Sequence, residues 1–219
     1  MVDDEVMKSM FPMPGNPWPP EMLITIEDDS AALLELLWIR EAWDLHPEGH
    51  DLPPLLADQL NRPPTSAVQP GQLTAWQAAW ADIWRGCVNH AGAIRDPTLD
   101  DRIDLSAVGS PERTKLLNEL LGPSWRDEFG NEALTEQYTQ WAEAELGPQS
   151  HRFHRSADEE PERVSLAALI AAWRAGLTKI VTIPCQGSYT RIIGAHTILV
   201  TEETRNNPRT YGDALAAFQ

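Results

Sequence analysis

The spacing of apolar side chains near the C-terminus predicts a helix followed by strands. Five apolar residues after position 164 recur at intervals typical of one helix face: Leu166, Leu169, Ile170, Trp173 and Leu177. Three runs rich in β-branched residues follow, and they predict strands near 179–184, 189–193 and 196–201. We therefore expect a helix that packs on a small antiparallel or mixed sheet.

The same periodicity predicts helices through most of the remaining chain. The helical segments, including the one above, lie near 30–45, 72–88, 110–121, 131–145, 164–176 and 208–218. The segment 22–26 is a strand candidate that could join the C-terminal sheet, and the Asp-rich segment 96–106 is predicted to be a polar loop. The predicted fold class is therefore α+β and helix-dominated, with five or six helices.

Tryptophans mark the clearest of these helices. Trp76, Trp80 and Trp84 follow one another at four-residue spacing within 72–88, so they share one side of the helix. Such a stripe indicates a buried core face rather than an aromatic cage for a ligand.

Proline and charge suggest where the chain divides. Residues 1–20 are predicted to form an extended proline-rich arm, because five prolines fall between positions 11 and 20. A mainly helical region (21–148), a polar connector (149–161) and a helix-plus-sheet unit (162–219) follow. The alternative is that all of them form one domain.

Composition narrows the class of protein. The chain has 219 residues, of which 42% are hydrophobic and nine are Trp, so it can bury a core. No apolar run approaches the roughly 18 residues that a membrane span needs, and the acidic N-terminus lacks the apolar segment of a secretory signal. Cys87 and Cys185 lie far apart. We therefore expect a cytoplasmic protein with reduced thiols and no membrane association.

Negative charge is concentrated near the N-terminus. The net charge is −16, and the first 60 residues hold thirteen acidic and two basic residues, a net charge of −11. This balance disfavours direct binding of nucleic acid, because phosphates require cations. It favours a basic protein partner, with simple solvation of the surface as the alternative. The candidate partner-binding residues are Glu27, Asp28, Asp29, Glu41, Asp44, Glu48 and Asp51.

One motif points to phosphate chemistry. Cys185 and Arg191 stand in a Cys-x5-Arg spacing directly after a predicted strand. The spacing resembles that of cysteine-dependent phosphatases, and the resemblance implies a Cys185 thiolate that attacks a phosphate held by Arg191. Pro184 stands where many of those enzymes have His, and strand rather than helix is predicted after Arg191. The alternative is a buried structural thiol.

A second motif lies at the end of the Trp-rich helix. Arg85 and His90 form an Arg-x4-His spacing that resembles the motif of HEPN-type ribonucleases. The resemblance implies that both side chains meet a scissile phosphate. Gly86 inside the motif and the acidic chain count against an RNA substrate. The alternative is that both residues interact with the dipole at the helix C-terminus.

No metal or cofactor site is predicted. His151 and His154 lack a third ligand nearby in the sequence, and the aspartates of 96–106 do not follow a calcium-loop pattern. Glycine-rich phosphate loops and common hydrolase motifs are absent from the sequence.

The leading hypothesis is a non-enzymatic, acidic interaction protein, of inhibitor, immunity or accessory type. It would bind a basic partner protein through its N-terminal acidic third. The alternative is a small enzyme acting on phosphoesters, through either Cys185 and Arg191 or Arg85 and His90. The identity of the partner and the oligomeric state do not follow from the sequence.

Overall fold

The computed structural model describes residues 5–7, 18–64, 68–69, 71–146 and 159–218. The strands in this part of the chain are β1 (Glu5–Met7), β2 (Ile24–Glu27), β3 (Lys179–Ile183), β4 (Thr190–Ile193) and β5 (Thr197–Thr201). The helices are α1 (Ala31–Ala42), α2 (Gln72–Ala91), α3 (Leu99–Leu105), α4 (Pro111–Leu121), α5 (Trp125–Phe129), α6 (Glu136–Leu146), α7 (Pro161–Val164), α8 (Leu166–Arg174), α9 (Glu202–Asn206) and α10 (Pro208–Ala216).

The strands predicted near 179–184, 189–193 and 196–201 are confirmed as β3, β4 and β5, and the sheet also contains β1 and β2. Its order is β1-β2-β3-β5-β4, in which β2, β3 and β5 run parallel while β1 and β4 lie antiparallel at the edges. The sheet is therefore mixed. The strand candidate at 22–26 appears as β2 and pairs with β3, although about 150 residues separate the two strands along the chain.

The two faces of the sheet pack on different sets of helices. Ile180 and Ile198, which are paired in register, belong to a core that includes side chains of α8 and α10. Val181 and Leu199, the next pair along, belong to a second core that includes side chains of α1 and α2. This alternation follows from the two-residue repeat of a strand. Helix α1, with nine of its twelve residues buried, lies deep within the protein.

The tryptophan stripe of α2 is buried, as predicted. Trp76, Trp80 and Trp84 are each at most 1% exposed. Trp80 stacks on Trp84 with ring centroids 5.4 Å apart, and its indole nitrogen donates to the carbonyl of Leu36 in α1 at 2.8 Å. These contacts join α2 to α1 and place the indoles in the core.

The predicted number of five or six helices is wrong. The described residues contain ten, because four helices of only four to seven residues were not predicted: α3, α5, α7 and α9. In the segment 96–106, which was predicted to be a polar loop, α3 buries Leu99 and Ile103 while the residues between them are exposed. Helices of one or two turns carry too few apolar positions to define a periodicity.

The proposed boundaries at 1–20 and 149–161 lie mostly outside the described residues. Among those residues, no helix is both long and apolar enough to cross a bilayer.

Candidate functional site

Residues 44–58, called the strap from here on, lie against the carboxyl end of β3. Ala57 N–H donates to the Pro184 carbonyl at 2.9 Å, and Gln186 N–H donates to the Leu55 carbonyl at 2.8 Å. Leu56 thereby forms an isolated bridge with Cys185. In open α/β sheets, ligands bind beyond the carboxyl ends of the strands. Here the chain itself covers that position at β3.

Two residues of α1 hold the strap. The Arg40 guanidinium donates to the carbonyls of Pro53 at 2.7 Å and Pro54 at 2.5 Å, and it lies 5.3 Å from the ring centroid of Trp80. The neighbouring Glu41 carboxylate accepts from the N–H of Leu56. Burial lowers the pKa of Arg40 from its ordinary value. Arg40 therefore satisfies strap carbonyls from within the protein and is not available to a ligand.

Helix α1 ends in a turn that directs the chain into the strap. Asp44 has a left-handed backbone (φ 54°), and Leu45 N–H donates back to the Arg40 carbonyl at 2.8 Å. This closure is a common way to end a helix, although the left-handed position is more often glycine. It places the side chain of Asp44 on the surface, at the beginning of the strap.

The thiol of Cys185 is buried beneath the strap. Cys185 is 1% exposed, and burial raises its pKa to about 12 even though the charge of Arg40 opposes the rise. A thiol in this environment stays protonated at neutral pH and is a poor nucleophile.

Arg191 does not complete a phosphate cradle with Cys185. It lies in β4 and donates to the Asp51 carbonyl of the strap at 3.3 Å. The loop between the two residues is already hydrogen-bonded, since Gly187 N–H donates to the Glu203 carboxylate at 2.6 Å and Tyr189 N–H to Thr204 Oγ1 at 2.9 Å. A phosphate in that loop would meet the negative charge of Glu203.

Arg85 and His90 point in different directions from α2. Five residues on an α-helix correspond to about 140° of rotation around the axis, so the two side chains diverge. Arg85 is exposed and pairs with Asp82 on the same helix. His90 is partly buried, and its Nε2 lies 3.2 Å from the Leu120 carbonyl at the end of α4. Each residue thus has a separate contact within the protein, and the two do not form one site.

The seven candidate acidic residues fall into two groups. Glu27 forms an ion pair with Lys179 across the sheet, Glu41 binds the strap, and Asp28 and Asp29 are partly buried. The other three are exposed and lie on the strap.

The exposed group is Asp44, Glu48 and Asp51. The Asp44 carboxylate lies 3.0 Å from a guanidinium nitrogen of Arg62 and 3.6 Å from Nε2 of His46. Asp58, which was not among the candidates, is also exposed on the strap.

The structure contains a buried polar cluster that the sequence did not predict. Glu162 is fully buried and accepts two hydrogen bonds of 2.8 Å from Arg205 and one of 2.8 Å from the Tyr211 hydroxyl. Burial favours the neutral acid, but hydrogen bonds and charge from Arg205 outweigh it and lower the pKa of Glu162. No sequence signal could have found this cluster, because its members are 43 and 49 residues apart.

No group of three potential metal ligands occurs within the described ranges. His151 and His154 lie outside them.

Comparisons with known proteins add no identification. No family model, curated protein or solved structure matches the chain.

Proposed function

We propose that this protein binds a basic partner protein through the strap and acts by that contact rather than by catalysis. The observation that supports it best is the placement of four exposed carboxylates within fifteen residues, at Asp44, Glu48, Asp51 and Asp58. The proposal is narrower than the hypothesis of an acidic N-terminal third, because Glu27 and Glu41 are engaged inside the protein.

The strap is suited to presenting these charges in a fixed arrangement. Arg40, Glu41 and Gln186 bind its backbone, and Leu56 is buried within a core cluster. A surface that is already ordered loses little conformational entropy when a partner binds. Leu55 is about half exposed among the charged residues and supplies an apolar contact.

Charge would act mainly on the rate of association. Carboxylates on one surface attract a basic protein over roughly the Debye length, about 10 Å at 0.1 M salt, and raise the rate of encounter. The apolar contact then slows dissociation. The buried cysteines Cys87 and Cys185, neither of which forms a disulfide, are consistent with a reducing compartment, so cytoplasmic localisation is part of the proposal.

The test compares two variants of equal charge. The strap variant carries Asp44→Asn, Glu48→Gln and Asp51→Asn, while the control variant carries Glu128→Gln, Glu143→Gln and Asp213→Asn, all exposed residues elsewhere. The full chain is immobilised, incubated with extract of its own cells, and the retained proteins are identified and ranked by isoelectric point.

We expect the wild-type protein and the control variant to retain the same basic protein, and the strap variant to lose it. Retention should fall as salt is raised from about 0.05 M to about 0.3 M, because exposed charges are screened. Equal loss in both variants would indicate a general charge effect and contradict the proposal. Retention that is indifferent to salt would contradict it as well.

A further inference from the structure

A helical hairpin carries the most exposed apolar side chains. The hairpin consists of α3, α4 and the turn between them, residues 99–121. Among the described residues, the four most exposed large apolar side chains lie on it or just before it: Val108 at 93%, Leu105 at 88%, Ile94 at 76% and Leu121 at 68%. Of these four, Leu105 and Val108 are neighbours where α3 passes to α4, and apolar side chains that are neighbours on a surface mark sites of interaction more often than scattered ones do.

The tip of the hairpin, residues 105–111, leaves its two large apolar side chains outside the core of the hairpin. The hairpin has a small core of its own, made by Leu99, Ile103 and Leu116. Leu105 and Val108 are outside this core and almost fully in contact with solvent. The hairpin does not cover these two side chains, and a contact with another molecule would cover them.

The backbone of the tip is held in one conformation. The Arg113 guanidinium donates to the carbonyls of Ile103 at 2.5 Å and Ser106 at 3.3 Å, where α3 ends. Ser110 caps α4 by accepting from Arg113 N–H at 3.1 Å, and its own N–H donates to the Ala107 carbonyl at 3.0 Å. The tip therefore presents its apolar side chains with little entropy left to lose on binding.

The charges beside the tip restrict what it can contact. Asp100, Asp101, Asp104 and Glu112 are exposed on the two helices that bear it, and they outnumber the exposed cations of those helices, Arg102, which pairs with Asp96, and Lys115. Arg113 is engaged with backbone carbonyls, as described above. An anionic membrane surface would be repelled by these carboxylates, whereas a protein groove bordered by Lys or Arg would complement them.

We propose that the tip inserts Leu105 and Val108 into an apolar groove, bordered by basic side chains, on a partner protein. This inference rests on the proposed function, because the partner is again basic, but it uses a surface separate in sequence from the strap. The two apolar side chains supply the durable contact, and the carboxylates select the partner.

The experiment uses the full chain and a displayed library of random peptides. The tip variant carries Leu105→Ser and Val108→Ser. The matched control carries Val164→Ser and Ile192→Ser, which are exposed apolar residues elsewhere. Peptides enriched on the wild-type protein are synthesised, and their affinity for each variant is measured by fluorescence anisotropy. Circular dichroism establishes that both variants keep the fold.

We expect the enriched peptides to contain apolar residues next to Lys or Arg. The tip variant should bind them about tenfold more weakly or worse, as is usual for the central residues of an interface, while the control binds them like wild type. Peptides that bind the tip variant as well as wild type would overturn the inference. So would a lack of enrichment on wild type, or enriched peptides without basic residues.

Two further arms separate the possible failures. The strap variant is measured with the same peptides, and binding that is lost there but kept in the tip variant would leave the proposed function standing and refute the inference. Co-sedimentation with phosphatidylserine and phosphatidylcholine vesicles tests the membrane alternative. Wild-type protein that sediments with either kind of vesicle, when the tip variant does not, would also overturn the inference.

Discussion

The hold of Arg40 on the strap leads to a quantitative prediction for Arg40→Met. The substitution keeps most of the hydrocarbon volume but removes the charged hydrogen bonds to Pro53 and Pro54 and the contact with Trp80. Each hydrogen bond to a charged group contributes about 1.5–3 kcal/mol. Removing the buried charge offsets part of the combined contribution of the two hydrogen bonds. The free energy that keeps the strap closed should therefore fall by about 2–4 kcal/mol, since each bond is lost in the closed state only.

Cys185 reports on the strap, because it is buried and its backbone is bridged to that of Leu56. In a Cys87→Ser background, the rate at which Ellman's reagent labels Cys185 in native buffer is proportional to the equilibrium constant for opening, provided that closing is faster than labelling. A loss of 2–4 kcal/mol corresponds to labelling that is about 30- to 1,000-fold faster. Arg62→Met is the control, because Arg62 is exposed and pairs with Asp44 only at the surface, and it should change the rate less than about threefold.

Two results would refute this reasoning. Labelling of Cys185 that is unchanged by Arg40→Met would mean that the strap does not depend on Arg40. Labelling of Cys87, measured in a Cys185→Ser background, that accelerates by the same factor would mean that the whole protein opens, since the buried Cys87 thiol contacts the Pro123 carbonyl rather than being bridged to the strap as Cys185 is. In either case Arg40 would not stabilise a segment that opens separately from the rest of the protein.

The remaining predictions concern other buried contacts. Glu162→Gln should cost about 3–5 kcal/mol in urea unfolding, because it leaves Arg205 buried without its counterion; a loss below about 1 kcal/mol would contradict this. Since the pKa of Glu162 is lowered from the usual 4.5, its stabilisation is present above that pH and is lost as the pH falls through the lowered folded-state pKa. The free energy of unfolding of the wild type should therefore fall more steeply in acid than that of Glu162→Gln. Parallel plots of this free energy against pH would show that the Glu162 carboxylate does not cause the loss. Gly122→Ala should lower stability by about 2 kcal/mol or more, because the residue has φ 69° and a Cβ would collide with the ring of His90. Gly109→Ala is its control, since it has a similar φ of 79° but open space around it, so it should cost only about 1 kcal/mol; equal costs would mean that His90 does not restrict the position.

Local patterns in the sequence predicted the longer helices and the strands β2 to β5. Trp76, Trp80 and Trp84 follow the period of a helix and are buried, and the β-branched runs at 179–183 and 197–201 form strands. The helix was predicted because burial of one face imposes a period on its residues, whereas the two strands, which are buried on both faces, were predicted from continuous β-branched and apolar runs. Short helices lack enough residues for a period to show. In α3, for example, only Leu99 and Ile103 are buried, and their burial depends on residues outside the helix.

The candidate site depended on contacts that no local pattern encodes. The spacing of Cys185 and Arg191 matched a known motif, yet folding buries the thiol and directs Arg191 to Asp51, about 140 residues away. Likewise, the sequence showed how many carboxylates the N-terminal segment carries, but not that Glu27 would pair with Lys179. Composition and periodicity are properties of neighbouring residues, whereas the exposure and ion pairing of a charge depend on which distant segments pack beside it. The sequence alone therefore determined the longer helices, the strands β2 to β5 and the excess of negative charge. The tertiary structure decided which carboxylates remain at the surface.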